Sequence, residues 1–221
     1  GGRSIVTKEM CLSNDFSYYF AVNNGKLRFV WSQTGNCNNI NVNRTKSAII
    51  KEGVCYHVAV VFTPSNVNFY VNGVHEPSEY AQGSHSTIYQ SKEPLRLALY
   101  LTKQKQWIGS LKGQLDEVRL WSTARTPTQL VQNKDKTLIG NETGLVAYYK
   151  MERETNPNLV KNYATATGSA LDGTITSSAD GPEYVKTCDV IADPENIEII
   201  GPASLCNSSK ATLKLKANFS I

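Results

Sequence analysis

The sequence predicts an all-β protein, an antiparallel sandwich or barrel, and three observations point there. Apolar residues alternate with period two over short stretches, turn dipeptides separate those stretches by roughly ten residues, and neutral polar side chains fill the expected surface. Charged residues make up 19% of the 221, below the usual quarter, while 11 Tyr, 6 Phe and 3 Trp join many Val, Ile and Thr. That balance speaks against a helical cytoplasmic enzyme.

In chain order, Tyr18 to Val22 and Lys26 to Trp31 read as strands about the turn Asn23-Asn24-Gly25, with Leu27 and Phe29 on one face. His57 to Phe62 is a continuous apolar strand suited to cover on both faces, and Thr63-Pro64-Ser65 breaks it. Asn68 to Val71 stops at Asn72-Gly73, where both residues tolerate positive φ. Leu95 to Tyr100, Gly113 to Trp121 and Gly144 to Met151 supply three further strands. One short helix is expected over 126–131, with Thr126 as N-cap and Pro127 at the first helical position.

Beyond Met151 the residues become small and polar. Thr155-Asn156-Pro157 and the region from Gly168 to Gly181 read as long loops with a short strand at Leu171 to Thr174. The sandwich is therefore assigned to residues 1–187. Residues 188–221 read as a linker followed by alternating strand sequence, notably Ala211 to Lys216. So short a piece cannot bury enough surface to stand alone. It is either the start of another β module or a strand added to the first sandwich.

Cys11 and Cys37 each lie thirteen residues from Asn24, which sets them opposite one another across the hairpin if no bulge shifts the register. A disulfide between them is expected. Cys55, Cys188 and Cys206 then leave one thiol without an internal partner, and Cys206 could pair with a cysteine beyond Ile221. The net charge of +4 comes with scattered lysines, including Lys103 to Lys105 and Lys134 to Lys136, rather than a basic stripe. No nucleic-acid partner is expected. No apolar run approaches the length of a membrane helix, so no membrane insertion is expected. Gly1-Gly2 reads as a scar of processing or of recombinant expression, so a secretion signal could have been removed or omitted.

Four stretches resemble a family pattern. They are Cys55 to Phe62, Asn68 to Val74, Trp107-Ile108-Gly109 with Gly113 to Trp121, and Gly144 to Met151 followed by Asp172 to Ile175. Together they resemble the concanavalin A-like, laminin G-like jelly-roll domains over about Ser4 to Tyr184. The resemblance implies that two strands normally preceding Ser4 to Lys8 are absent, so the chain is expected to be part of a larger protein. The missing strands would come from another chain, or the sequence begins at a cut site within the domain, or the tail after Asp189 would fill part of the gap. Ile200 to Cys206 with Ala211 to Leu213 resembles openings of Ig-like repeats in the surface proteins of gliding Bacteroidetes. That similarity favours a secreted or cell-surface adhesin or gliding protein.

Related domains hold calcium at the sandwich rim with Asp, Asn and backbone oxygens. The resemblance therefore implies Asn14 with Asp15, Asn156 with Asn158, and Asp172 with Asp180 as candidate ligands, although Asn in loops also serves turns. Asp116 is read as a structural residue on the late strand, Trp121 as a core plug, and His57 as a hydrogen-bonded sheet residue. Sugar binding needs an exposed aromatic over a polar rim, for which Tyr80, Tyr89, Tyr100 and Trp107 are candidates. Glu152 and Glu154 have same-face carboxylate spacing, yet they run into Asn156-Pro157 with no bracketing aromatics and read as surface charge. No G-x-S-x-G, phosphate loop or dinucleotide fingerprint appears. Sequons at Asn43, Asn141, Asn207 and Asn218 are chance matches in a bacterial host.

The leading expectation is a non-catalytic extracellular module that contacts carbohydrate or another surface protein, alongside neighbouring domains of the same large chain. A structural spacer is the nearest alternative, and a glycoside hydrolase is third.

Overall fold

The computed structural model describes residues 2–83, 87–101, 107–108, 111–175 and 214–220. The strands are β1 (Gly2–Met10), β2 (Asp15–Asn23), β3 (Lys26–Ser32), β4 (Ile40–Thr45), β5 (Tyr56–Thr63), β6 (Asn66–Val71), β7 (Val74–Glu76) and β8 (Ser78–Gln82). They continue as β9 (Arg96–Leu97), β10 (Tyr100–Leu101), β11 (Trp107–Ile108), β12 (Gln114–Trp121), β13 (Leu145–Tyr149), β14 (Leu159–Val160), β15 (Gly173–Thr174) and β16 (Lys214–Ser220). Helix α1 (Pro127–Asn133) lies between β12 and β13. No helix among the described residues is long and apolar enough to cross a membrane.

Two six-stranded sheets form the sandwich, in the orders β8-β4-β3-β2-β1-β9 and β13-β12-β16-β5-β6-β7. Their inner faces share one core. Ile5, Phe20, Leu27, Phe29 and Trp31 come from the first sheet, and Val58, Val60, Phe62, Phe69, Val118 and Ala147 from the second. Aromatic contacts bridge the layers: Phe20 stacks on Phe69 at 6.3 Å and Trp31 meets Phe62 edge-on at 5.5 Å. Such pairs add about 0.5–1.5 kcal/mol each beyond the apolar area they bury. The fold is the all-β sandwich that the alternation allows and the jelly-roll type that the family resemblance implies.

Local chemistry explains the elements. The β2–β3 hairpin closes Asn23 on Lys26, and Asn24 and Gly25 both take positive φ, 50° and 74°. At Gly25 a Cβ would also meet the Ile50 carbonyl at 3.0 Å, so this turn needs glycine twice over. In α1 the Thr126 hydroxyl accepts from Gln129 N while the Gln129 side chain accepts from Thr126 N, a complete capping box with Pro127 behind it.

Three expectations need correction. The stretch Leu95 to Tyr100 is not one strand, because Ala98 at φ 60° breaks it into β9 and β10. The segment Leu171 to Thr174 is a 3-10 turn ending at Leu171 followed by the two residues of β15. The second sheet is also not wholly antiparallel, since β16 sits between β12 and β5 and runs parallel to both. A parallel neighbour requires a long connection, and the residues between β15 and β16 supply one.

The disulfide joins Cys11 to Cys37 with Cα atoms 5.5 Å apart, but not through the hairpin ladder. The ladder register pairs residues whose numbers sum to forty-nine, such as Tyr18 with Trp31, so it would set Cys11 one residue off Cys37. Cys11 instead opens a 3-10 turn and Cys37 lies in the loop between β3 and β4, where irregular backbone absorbs the offset. Cys55 is an exposed free thiol. Cys188 and Cys206 lie outside the described residues.

Candidate functional site

The outer face of the first sheet divides into two halves. At one end Phe16, Val30 and Val42 form a small second cluster, with Tyr19, Ile40 and the two disulfide cysteines packed on it. At the other end the face opens into a groove of roughly 320 Å³. Its lining combines the cations Lys26, Arg28 and Arg44 with the carboxamides of Asn23, Asn24 and Gln82, over Val42 and Ala81.

Sheet register puts these groups together. Arg28 faces Ala21 on β2 and Arg44 on β4, and Arg44 faces Glu79 on β8, so one cross-strand row carries two guanidiniums and a carboxylate. Lys26 shares Arg28's face two residues back along β3, at the hairpin end where it pairs with Asn23. Arg44 Nε donates to Glu79 Oε1 at 3.0 Å in an exposed pair. The Arg28 guanidinium lies 5.7 Å from the centre of the Tyr19 ring. Burial pushes the Tyr19 hydroxyl up, with the Arg28 charge opposing that shift. The groove thus offers fixed cations and amides that can both donate and accept.

A second groove of roughly 450 Å³ lies at a rim, between the β5–β6 turn, residues 87–90 and Ala124. Phe62, Pro64 and Ile88 make it more apolar, with Thr63, Thr87 and Gln90 as its polar lining.

Tyr80 and Tyr89, two of the aromatics proposed from sequence, are not among the residues that line the cationic groove. Tyr80 is half-buried with its ring edge-on to Trp31 at 6.2 Å. Tyr89 is half-buried against the disulfide loop, close enough that a Cβ on Gly35 would meet its ring at 2.9 Å. Its backbone is pinned as well, N donating to Ser32 O and O accepting from Ser17 Oγ. Tyr100 and Trp107 belong to the two-residue strands β10 and β11, which pair with each other.

The calcium candidates serve the backbone. The Asp15 carboxylate accepts from Lys92 N at 3.2 Å, and Asp172 accepts from Asn162 N at 2.8 Å. Asn156 caps Asn158 N at 3.1 Å, and Asn14 takes the left-handed conformation, φ 52°, that ends the 3-10 turn. Asp180 lies outside the described residues. Among those described, the group of three acidic, thiol or imidazole ligands within 4.8 Å is Glu9, Cys11 and Cys37. Its sulfurs are bonded to each other and are not thiolates, the form that binds metal.

Glu152 and Glu154 both accept from the Tyr163 hydroxyl, at 3.2 and 2.7 Å, and Lys150 and Lys161 lie over the same ring. This is a surface cluster, and the cationic groove is not lined by it. Asn43 is buried, its amide donating to Val67 O across the layers, so the sequon there is closed to modification in the folded chain.

The other outer face is covered. Ala59, Val61 and Tyr70 pack under Leu130 of α1. Beside them Arg119 donates to the carbonyls of Asn133 and Lys136 and pairs with Glu117, whose carboxylate accepts from the Tyr148 hydroxyl at 2.7 Å. Asp116 is half-buried, His57 is buried, and Trp121 is buried with Arg125 4.0 Å over its ring. Glu117, to which sequence reasoning gave no role, holds the network together at φ 55°, where the β12 register shifts.

The geometry agrees with the comparison of sequences. The model of the concanavalin A-like lectin/glucanases superfamily matches residues 2–131. The chain belongs to that superfamily. Among solved structures, this concanavalin A-like domain shares its fold with a proposed carbohydrate binding protein from Bacteroides ovatus ATCC 8483, at a TM-score of 0.55 and 21% identity. The match covers 78% of this chain and 47% of that one, so the domain spans about half of the larger protein. No curated protein matches it.

Proposed function

We propose that this concanavalin A-like domain is a non-catalytic carbohydrate-contacting module of a multi-domain extracellular protein, and that ligand sits in the Lys26–Arg28–Arg44 groove. The observation that carries this reading is the groove itself, an open polar depression with converging donors on an otherwise well-packed sheet. The superfamily includes lectins by description, and the Bacteroides ovatus structure with the same fold is proposed to bind carbohydrate. The Cys11–Cys37 bond suits an oxidising, secreted or cell-surface setting. In this reading residues 1–187 and the strand β16 make the binding unit, the segment before β16 is a linker, and the parent protein is a surface adhesin of the gliding Bacteroidetes type.

A glycan array probed with the whole chain tests it, with Ala81→Trp as the blocking variant because Ala81 is an exposed lining residue. Wild type is expected to retain a defined glycan set, and Ala81→Trp to lose at least about tenfold in affinity for it. Silence across the array would leave a structural spacer. Release of shortened products from the bound glycans would move the domain to the hydrolases. A chelator arm reports whether calcium takes part.

A further inference from the structure

We infer that the groove takes an anionic sugar, a saccharide bearing a carboxylate or a sulfate ester, which bridges Arg28 and Arg44; this rests on the carbohydrate reading above. The register places these two residues directly opposite one another on adjacent strands. Like charges so placed destabilise a sheet, and nothing in the packing asks for them, because the neighbouring row of the same face is filled by Val30 and Val42. Lys26 adds a third cation on the same face, two residues along β3.

Glu79 answers only part of this charge. It meets Arg44 through Nε, and a guanidinium carries five donors in a fork that fits a carboxylate or sulfate oxygen pair. Arg28 leans on the Tyr19 ring, which fixes the direction of its charge without neutralising it. The carboxamides of Asn23, Asn24 and Gln82 complete the lining. They suit sugar hydroxyls, which donate and accept in turn. A nucleic acid would be served by stacking rings along a longer basic track, and among the described residues no aromatic side chain lines this groove.

The test measures affinity of the whole chain for polygalacturonate, chondroitin sulfate, dextran and a single-stranded DNA oligonucleotide, at two salt concentrations. Arg28→Gln and Arg44→Gln are compared with Arg153→Gln, an exposed charge outside the groove. Wild type is expected to bind polygalacturonate or chondroitin sulfate, and to bind more weakly in high salt. Each groove variant should lose about tenfold, the worth of one charge-assisted contact, while Arg153→Gln stays at wild type. The arm that binds tells carboxylate from sulfate. Equal binding of dextran, unmoved by either variant, would overturn the anionic assignment and leave the carbohydrate reading standing. Binding of DNA as tight as that of either acidic glycan would overturn it as generic polyanion attraction. Binding of none of the four would overturn it, and the array then decides separately on neutral or branched glycans.

Discussion

The two outer faces of this sandwich each carry an arginine–carboxylate pair, and the pairs live in opposite surroundings. On the second sheet Arg119 and Glu117 are almost fully enclosed, with side chains 1% and 7% exposed, beneath α1 and the residues that follow it. On the first sheet Arg44 and Glu79 stand in solvent at 46% and 40%. The buried arginine donates through its two terminal nitrogens to Asn133 O, Lys136 O and Glu117, and so it fastens α1 to β12. The exposed arginine is held by one carboxylate contact and faces a second guanidinium. The same chemistry is architecture where water is excluded and is available for recognition where it is not.

The largest expected effect comes from breaking the enclosed pair. Arg119→Met should destabilise the domain by about 3–5 kcal/mol, because Glu117 is left charged and buried with the Tyr148 hydroxyl as its remaining partner in the network. Chemical denaturation of the whole chain measures it. The double variant Glu117→Gln with Arg119→Met should recover part of the loss, since it removes the orphaned charge. A loss under about 1 kcal/mol for the single variant would erase the distinction between the faces.

Within the first sheet the disulfide half should matter more to stability than the groove half. Replacing Cys11 and Cys37 by Ala should cost about 2–4 kcal/mol, chiefly by freeing the unfolded chain. The hairpin register is set by the Asn24-Gly25 turn at the other end of the strands, so the groove should keep its shape. Thermal melts with and without reductant should then converge in the variant and differ in the wild type.

How much of this was legible follows from where each signal resides. The capping box of α1 lies within Thr126 to Gln129, and the β6–β7 hairpin announces itself through a short apolar strand and Asn72-Gly73. Both are local. β4 was hidden because Ile40 to Thr45 inverts the usual pattern: Asn41, Asn43 and Thr45 are the buried polar residues of this strand, and Asn43 answers for its burial by a hydrogen bond to Val67 O across the layers. Missing β4 made the groove unreadable, since Arg44 could not be set opposite Arg28. The groove gathers residues from Asn23 to Arg28, Val42 to Arg44 and Ala81 to Gln82, and only sheet register joins them. The network around Glu117 was half legible. Alternation brings Glu117 and Arg119 to one side, but the carbonyls they secure belong to residues fourteen or more positions away.

The smallest effect on stability, and the sharpest on the contrast, belongs to Glu79→Gln. An exposed pair of this kind contributes about 0–1 kcal/mol, so the melting transition should scarcely move. Losing the carboxylate removes the counter-charge from the Arg28–Arg44–Glu79 row, so a bound anion gains more from the two guanidiniums. Affinity for an acidic saccharide should therefore rise by a few-fold in low salt and return toward wild type as salt screens the added field. Because Glu79 meets Arg44 at Nε rather than through the fork, the geometry offered to the ligand should be kept. Should Glu79→Gln instead unfold the domain as readily as Arg119→Met, the exposed pair would be structural after all, and the two faces would differ in burial alone.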